Sequence, residues 1–223
     1  MTTLILAGGD APTRTTLDTH WVGWDEAIDL VIAADGGARH AADLALVIDR
    51  WVGDGDSIDP ALLERLAAAG VVIDRAPVDK DESDTELAIR SALAAGATSI
   101  AILGATGGPR IDHELANLGL LAMPELDAIP TVMYTPGSRL RQLDGPTPWV
   151  SVSGRPGDVV SLLPVSAVVS GIETRDLRFP LAGETLRIGA SRGLSNVVGG
   201  DAPAVRWRVG RLLIVETPVT IDR

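Results

Sequence analysis

A short acidic segment offers the clearest candidate for metal chemistry. Gly53-Asp54-Gly55-Asp56-Ser57 follows the apolar pair Trp51-Val52. Two carboxylates separated by one residue can project from the same side of a strand end, and carboxylate oxygens are ligands that Mg²⁺ prefers. The segment therefore predicts a Mg²⁺ site, although acids and glycines also occur together in solvated loops. An EF-hand is disfavoured because Ile58 stands where a third ligand is needed.

A second acidic segment, Asp79 to Glu86, surrounds Lys80 with carboxylates. Ser83 and Glu86 have the spacing of a capping box, and acids suit the first turn of a helix. Capping alone does not account for Lys80. A single cation among carboxylates could bind a phosphate whose metal the acids hold.

Two glycine-rich segments have the composition of phosphate-binding turns. The first is Asp35-Gly36-Gly37-Ala38, and the second runs from Gly104 to His113 and includes Gly107, Gly108 and Arg110. Glycine backbone before a helix can surround phosphate oxygens, and an arginine supplies a planar charged donor. Each segment could equally be a tight strand-to-helix turn, and His113 alone is typical of a structural hydrogen-bonding residue.

These segments follow elements that alternate between strand and helix. Apolar runs separated by amphipathic stretches predict a mostly parallel sheet covered by helices, with ligands beyond the carboxyl ends of the strands. The predicted strands lie at residues 4–7, 30–33, 71–73, 100–103 and 131–134, and the predicted helices at 61–69, 84–95 and 113–121.

The pattern changes after Pro136. Short β-rich segments at 159–163, 168–172, 185–188 and 212–215 are separated by Gly, Pro and Ser. We therefore expect an α/β N-terminal domain with a mostly parallel sheet at 1–137 and a smaller all-β sandwich domain at 145–223. Aromatic residues make up only 3% of the chain, so an exposed one would indicate a binding surface.

Composition excludes several classes of protein. A formal net charge of −11 argues against nucleic acid as a partner. The chain has no Cys, hence no disulfide framework and no thiol nucleophile. It also lacks a P-loop and a dinucleotide-binding glycine motif. No apolar run is long enough to span a membrane and no signal peptide is evident, so we expect a soluble cytoplasmic protein.

The order of these motifs resembles that of the thiamine pyrophosphokinase (thiamine diphosphokinase) family. The resemblance extends into the second domain and covers nearly the whole chain. The segments that carry it are Asp35-Gly36-Gly37-Ala38, Gly53 to Ser57, Lys80 to Glu86, Arg110-Ile111-Asp112-His113 with Asn117, Gly193-Leu194-Ser195-Asn196, and Gly210-Arg211-Leu212-Leu213. Ser83 and Gly55 depart from the family pattern without removing a proposed ligand.

The resemblance implies an enzyme that transfers pyrophosphate from ATP to thiamine, giving thiamine diphosphate and AMP, with Mg²⁺ as cofactor. It also implies a homodimer whose active sites lie between subunits. Each subunit would consist of an ATP-binding α/β domain and a thiamine-binding β-sandwich. The metal set it implies is Asp54, Asp56 and Asp84, and the catalytic set is Asp56, Asp84, Arg110 and Asp112. The ATP-binding set is Asp35, Gly36, Gly37, Lys80, Asp81, Gly107, Gly108 and Arg110, and the thiamine-binding set is Ser195, Asn196 and Trp207, where Trp207 could instead belong to the core or edge of the sandwich.

Three alternatives stay open. Leu6-Ala7-Gly8-Gly9 resembles the opening of sugar-nucleotide synthesising enzymes, and Asp54-Gly55-Asp56 resembles the metal motif of glycosyltransferases. The first alternative is therefore a nucleotidylyltransferase or glycosyltransferase, but neither of these explains the segment from Lys80 to Glu86. The others are a pyrophosphokinase for a different hydroxymethyl heterocycle, such as a pterin, and a non-catalytic sensor of thiamine or a nucleotide.

Overall fold

The computed structural model of the chain describes residues 1–219. Its contacts divide it into two compact units, Met1–Pro136 and the residues from Gly137 onward. The strands of the first unit are β1 (Thr2–Leu6), β2 (Ile28–Ala34), β3 (Arg50–Gly53), β4 (Val72–Arg75), β5 (Ser99–Leu103) and β6 (Thr131–Tyr134). Its helices are α1 (Arg14–His20), α2 (His40–Asp43), α3 (Pro60–Ala68), α4 (Asp84–Ala94) and α5 (Ile111–Leu120), with short 3-10 turns at Asp35–Arg39 and Pro124–Leu126.

The strands of the first unit pair in the order β6-β5-β1-β2-β3-β4, and each of these pairs is parallel. The apolar runs explain this arrangement, because a strand covered on both faces needs apolar side chains on both. In β1, Leu4, Ile5 and Leu6 are fully buried. All six strands run the same way, so the segments that follow them gather at one edge of the sheet.

The helices begin where the sequence provides a cap. At α3, the Asp59 side chain accepts a hydrogen bond from the backbone N–H of Ala61, and Pro60 occupies the first turn. At α4, the Ser83 hydroxyl accepts from the N–H of Glu86 at 3.2 Å. Helix α4 buries its small and aliphatic residues and packs against β1, β2 and β3. The cap and this packing fix the start of α4 at the carboxyl edge of the sheet.

The second unit is built from antiparallel strands. They are β7 (Arg139–Asp144), β8 (Val150–Ser151), β9 (Val159–Pro164), β10 (Val168–Arg175), β11 (Ala182–Arg187), β12 (Asn196–Val197), β13 (Ala204–Arg206) and β14 (Arg211–Thr217). One set pairs in the order β12-β9-β14-β7 and the other in the order β11-β10-β13-β8. Both sets contribute to one apolar core, in which Leu162, Ile172, Trp207 and Ile214 are buried.

The predicted division into a helix-and-strand unit and a separate β-rich unit is confirmed. The second unit begins earlier than expected, because β7 already belongs to it. The arginines and glutamine of β7 obscure its apolar alternation, so sequence pattern alone did not reveal a strand there. Within residues 1–219, none of the helices is both long and apolar enough to cross a bilayer.

Candidate active site

A cavity of about 520 Å³ opens in the first unit at the carboxyl ends of its strands. Its walls come from the segments after β1, β2, β3 and β5 and from the first turns of α4 and α5. The predicted site residues that line it are Asp35, Gly36, Asp54, Asp56, Lys80, Asp84, Gly107, Gly108 and Arg110. Gly8, Gly9, Arg39, Ser57, Thr85 and Glu114 also line it and were not among the predicted site residues.

Three carboxylates converge in this cavity. Asp35, Asp54 and Asp84 each present an oxygen within 4.8 Å of the others. They come from the segment after β2, the segment after β3 and the first residue of α4. Carboxylates this close repel one another unless a proton or a cation lies among them. The geometry therefore fits a hard divalent cation such as Mg²⁺.

Asp35 is the most constrained member of this carboxylate cluster. Its backbone has a positive φ of 42° and the residue is only 3% exposed. One carboxylate oxygen accepts from the N–H of Ser57 at 3.0 Å, while the other is buried without a hydrogen-bond partner. Burial, followed by the nearby carboxylates of Asp84 and Asp56, raises the pKa of Asp35 to about 6 against the opposing effect of the hydrogen bond from Ser57. A buried oxygen without a donor is what a cation ligand requires.

Lys80 bridges the other two members of the cluster. Its Nζ lies 2.6 Å from Asp54 Oδ2 and 3.1 Å from Asp84 Oδ1, and its side chain is 11% exposed. The hydrogen bond from Lys80 lowers the pKa of Asp54. Burial, helped by the charges of Asp54 and Asp56, raises the pKa of Asp84 against the opposing effect of Lys80. Burial lowers the pKa of Lys80, but hydrogen bonds to both carboxylates outweigh this and leave it raised.

Asp56 lies beside the cluster rather than within it. The glycine between the two aspartates has φ of +88°, and the Asp56 carboxylate lies close enough to those of Asp35 and Asp54 to act on the pKa of both. Asp56 is exposed, and its Oδ1 accepts from the Ser57 hydroxyl at 2.7 Å. The structure thus adds Asp35 to the predicted residues Asp54 and Asp84 in the converging set, with Asp56 directly beside them.

Two glycine loops meet on the opposite wall of the cavity. The N–H of Gly9 donates to the carbonyl of Gly104 at 2.6 Å, and the N–H of Asp10 donates to Thr106 at 2.7 Å. A Cβ on Gly9 would lie 2.4 Å from the Thr106 carbonyl oxygen, and one on Gly104 would lie 2.3 Å from that of Ala7. The loop after β1 therefore packs backbone to backbone against the loop after β5.

Arg39 connects these loops to the turn after β2. Its guanidinium donates to the carbonyl oxygens of Gly8, Gly9 and Gly36. His40 also contacts the Gly9 carbonyl through Nε2 at 2.9 Å, and burial, followed by the charge of Arg39, lowers the pKa of this imidazole. Sequence reasoning missed Arg39 because no local motif marks an arginine that bonds to distant backbone.

The start of α5 supplies the remaining polar groups. Arg110 forms a bidentate pair with Asp112, and these hydrogen bonds hold the pKa of Asp112 well below its usual range. Both side chains are exposed. Glu114 accepts from the N–H of Gly107 at 3.0 Å, and the Asn117 amide donates to the Ala105 carbonyl at 2.9 Å. These two contacts anchor the loop after β5 to the helix.

Three predicted ATP-binding or catalytic residues do not line the cavity. Asp112 turns to Arg110, and Asp81 is an exposed residue of the segment before α4. Gly37 is buried, and a Cβ there would lie 2.0 Å from the Leu6 carbonyl oxygen. Gly37 is therefore a packing position that lets the turn after β2 lie against the end of β1.

The predicted thiamine-binding residues all belong to the second unit. Ser195 is exposed and has a positive φ of 55°. Asn196 is 4% exposed, and its amide bonds to the backbone N–H and carbonyl of Phe179. Trp207 is 1% exposed and donates its indole N–H to the Gly210 carbonyl at 2.8 Å. In this conformation Trp207 fills the core, as the alternative interpretation expected, and offers no face to a ligand.

Both units match models of one protein family. The catalytic domain of thiamin pyrophosphokinase matches residues 23–133, and its vitamin B1 binding domain matches residues 150–212. A curated relative, the thiamine pyrophosphokinase of Bacillus subtilis strain 168, is 26% identical over 213 residues, which cover 96% of this chain and 97% of the relative.

Solved structures share the fold over most or all of their length. The crystal structure of thiamine pyrophosphokinase from Bacillus subtilis has a TM-score of 0.83 at 24% identity, covering 98% of this chain and 100% of that one. The one from Geobacillus thermodenitrificans has a TM-score of 0.81 at 22% identity and covers both chains completely. The enzyme from Candida albicans has a TM-score of 0.79 at 17% identity, covering 97% of this chain and 88% of that one.

A match to a catalytic domain over the unit with the clustered carboxylates, followed by a match to a vitamin-binding domain over the second unit, identifies a transferase of the kinase class. More narrowly, the chain belongs to the thiamin pyrophosphokinase family, and its enzyme class is thiamine diphosphokinase. The family resemblance and the enzyme class predicted from the sequence are therefore confirmed.

Proposed function

We propose that the chain transfers the pyrophosphoryl group of Mg-ATP to the hydroxyl of thiamine. The hydroxyl oxygen forms a bond to the β-phosphorus, and the bond between that phosphorus and the α,β-bridging oxygen breaks. The products are thiamine diphosphate, AMP and the proton released from the hydroxyl. The carboxylate cluster Asp35, Asp54 and Asp84, next to Lys80, is the observation that carries this proposal.

The cluster fits a resident Mg²⁺ ion. Asp35, Asp54 and Asp84 would hold it, because their oxygens converge and one buried Asp35 oxygen has no hydrogen-bond donor. Bound Mg²⁺ would neutralise phosphate charge and orient the transferring group. Asp56 stays a predicted ligand, since it lies next to the cluster on the exposed side and lines the same cavity.

Cationic side chains in the cavity suit a triphosphate. Lys80 carries a positive charge between two carboxylates, and Arg110 places a guanidinium at the start of α5. Arg39 holds three loop carbonyls, which keeps the glycine backbone in a fixed shape. Transfers of this kind depend mainly on positioning and charge neutralisation, so we assign these residues to ATP binding and assign no single base.

The finer predictions about fold and assembly belong to this proposal. The parallel strand pairs of the first unit and the two antiparallel sets around one core in the second support an α/β domain followed by a β-sandwich. We further infer a homodimer with active sites between subunits, which rests on the family resemblance. Ser195 is then the exposed polar candidate for thiamine in the second unit.

The glycosyltransferase alternative rests on Asp54 and Asp56 alone. In the structure the converging carboxylates also include those of Asp35 and Asp84. Acidic residues from three separate segments favour the pyrophosphokinase interpretation.

Product analysis tests the proposal directly. Purified protein is incubated with ATP, Mg²⁺ and thiamine, and thiamine diphosphate, AMP and ADP are separated by chromatography. We expect thiamine diphosphate and AMP in equal amounts and neither of them with EDTA. ADP in place of AMP, or no product from thiamine, would contradict the proposal.

Substitutions test the metal ligands. Asp54→Asn and Asp84→Asn should lower kcat at least about 100-fold with the fold intact, because each removes a charge from the cluster. Asp43→Asn is the matched control, since Asp43 is an exposed acid of α2 outside the cavity. Near-normal turnover in both cluster variants would overturn the metal assignment.

A further inference from the structure

The loop after β5 presents two adjacent backbone donors, those of the glycine pair Gly107-Gly108. The N–H of Gly107 donates to Glu114 Oε2 at 3.0 Å, and the N–H of Gly108 donates to Asp10 Oδ2 at 3.3 Å. Both glycines have a positive φ, of 77° and 82°. Successive N–H groups in a turn form a concavity that binds anions. In this structure the anionic oxygens come from the protein's own carboxylates.

The two carboxylates reach the glycine pair from different elements. Glu114 lies in the first turn of α5 and is partly buried, whereas Asp10 lies in the loop after β1 and is exposed. Asp10 also packs against the first glycine, because a Cβ on Gly107 would lie 2.3 Å from Asp10 Oδ2. The glycine pair is therefore held between α5 and the loop after β1.

The glycine pair and Glu114 face the cavity of the carboxylate cluster. All three residues line it together with Lys80. A Cβ on Gly108 would meet no atom within 4 Å, so a ligand can approach this part of the loop. An anionic group in the cavity therefore has access to donors that already bind anionic oxygens.

Separate contacts keep the loop in place without these two donors. The carbonyl oxygens of Gly104 and Thr106 accept from the backbone of the loop after β1, and that of Ala105 accepts from the Asn117 amide. These three bonds do not involve the N–H groups of the glycine pair. The donors can therefore change partner while the loop keeps its position.

We propose that the carboxylates of Glu114 and Asp10 are exchangeable partners of the glycine pair, and that a phosphate group of ATP displaces at least the Glu114 carboxylate when it binds. The proposal rests on the proposed function, of which it concerns only ATP binding. A phosphate and the Glu114 carboxylate on the same donor would repel each other in this partly enclosed cavity. Exchange avoids that repulsion and keeps an anionic acceptor on each N–H before and after binding. Because the carboxylate has to leave first, the loop binds ATP less tightly than its donors alone would allow.

Calorimetry of nucleotide binding tests the exchange. Glu114→Gln keeps a side-chain oxygen for the Gly107 N–H but removes the charge, and hydrogen bonds to charged acceptors are about twice as strong as those to neutral ones. The probe is α,β-methylene-ATP with Mg²⁺, because the proposed reaction cannot cleave its α,β-bridge. Its Kd should fall about 3- to 10-fold in Glu114→Gln. Asp10→Asn should lower the Kd by a smaller factor, because the Asp10 bond is longer, and it replaces the first variant if Glu114→Gln does not fold.

Glu82→Gln is the matched control for the loss of one charge. Glu82 lines the same cavity, while the two glycine donors are taken by the other acids. The Kd of the analogue should stay within about twofold in this variant, because salt screens a partly exposed charge. An equal fall in Glu82→Gln, or a Kd that is unchanged or raised in Glu114→Gln, overturns the proposal.

Amide NMR reports the exchange directly. Labelling with ¹⁵N-glycine gives a spectrum limited to the 24 glycines of the chain. The signals of Gly107 and Gly108 should shift when the analogue and Mg²⁺ are added, while Gly70, which lies outside the cavity, should not. In the bound state the Gly107 signal should take the same position in the wild type and in Glu114→Gln, since a phosphate is its acceptor in both. Bound positions that still differ mean that the side chain at position 114 stays on this N–H, and they refute the exchange.

The two proposals fail in distinguishable ways. A wild-type enzyme that makes thiamine diphosphate while the analogue leaves the signals of the glycine pair unchanged refutes the exchange alone. A wild-type protein that binds the analogue with the expected shifts but makes no thiamine diphosphate refutes the proposed function alone.

Discussion

Replacing Asp35 with asparagine should stabilise the first unit when no divalent cation is present. Burial raises the pKa of Asp35 from 3.8 to about 6. The folded state therefore keeps a proton that the unfolded state has already released between about pH 4 and pH 6. The free energy of unfolding falls as pH rises through this window, by up to about 3 kcal/mol for a shift of about two units. Asparagine carries no charge and escapes this loss.

Urea denaturation in EDTA at pH 4.5, 5.5, 6.5 and 7.5 measures the effect. The free energies of unfolding of the wild type and of Asp35→Asn should be similar at the lowest pH. Above pH 6.5, Asp35→Asn should be more stable than the wild type by up to about 3 kcal/mol. Subtracting the two profiles cancels the other titrating groups. The new amide can donate toward the neighbouring carboxylates, whose charges act on Asp35 in the wild type.

A difference between the two proteins that does not change with pH would refute this reasoning. Adding Mg²⁺ provides a second check, because a cation that binds only the folded state stabilises it increasingly as the cation concentration rises above its Kd. Mg²⁺ should raise the stability of the wild type and narrow its gap to Asp35→Asn. The variant should also lose turnover, so this position exchanges stability for activity.

Four further substitutions test packing and charge, and one of them is a control. Gly37→Ala should lower the free energy of unfolding, measured by urea denaturation, by about 3 kcal/mol or more, because its Cβ would lie 2.0 Å from the carbonyl oxygen of Leu6 in β1. The control is Gly70→Ala, where φ is +86° and the space around the glycine is open, and it should lower the free energy of unfolding by only about 1 kcal/mol. Lys80→Met should tighten Mn²⁺ binding in calorimetry without nucleotide and raise the KM for ATP, since its Nζ competes for Asp54 at 2.6 Å; weaker metal binding would contradict this. Glu216→Gln should lower the free energy of unfolding by about 3–5 kcal/mol, because the buried carboxylate pairs with two arginines. A decrease below about 1 kcal/mol would count against that pairing.

The sequence predicted the positions of the site segments well because each follows an apolar strand. Parallel strands carry their following loops to one edge, so the turn at Asp35 and the segments at Asp54, Asp84 and Gly107 were expected near one another. The order of the strands was not predictable from local pattern. It depends on long-range pairing, which places β1 between β2 and β5 and brings the Gly8-Gly9 backbone against the loop after β5.

The composition of the carboxylate cluster was also beyond local reasoning. Spacing drew attention to Asp54 and Asp56, whereas the three oxygens that converge belong to Asp35, Asp54 and Asp84, and Asp56 lies beside them on the exposed side. Asp35 joins the set because its own positive φ and the N–H of Ser57 direct its carboxylate inward. Burial likewise decided between the two interpretations of Trp207, and a residue's depth in a β-rich core depends on tertiary contacts.

The backbone-to-backbone contact between the loops after β1 and β5 restricts how this cavity can evolve. Side chains cannot be added at Gly9 or Gly104 without displacing main-chain oxygens that lie within 2.4 Å of the new Cβ. That wall of the cavity is closed to variation. Natural or laboratory selection for a different nucleotide has other positions to work through, among them Ser57, Val78 and Pro109, which line the cavity with exposed side chains.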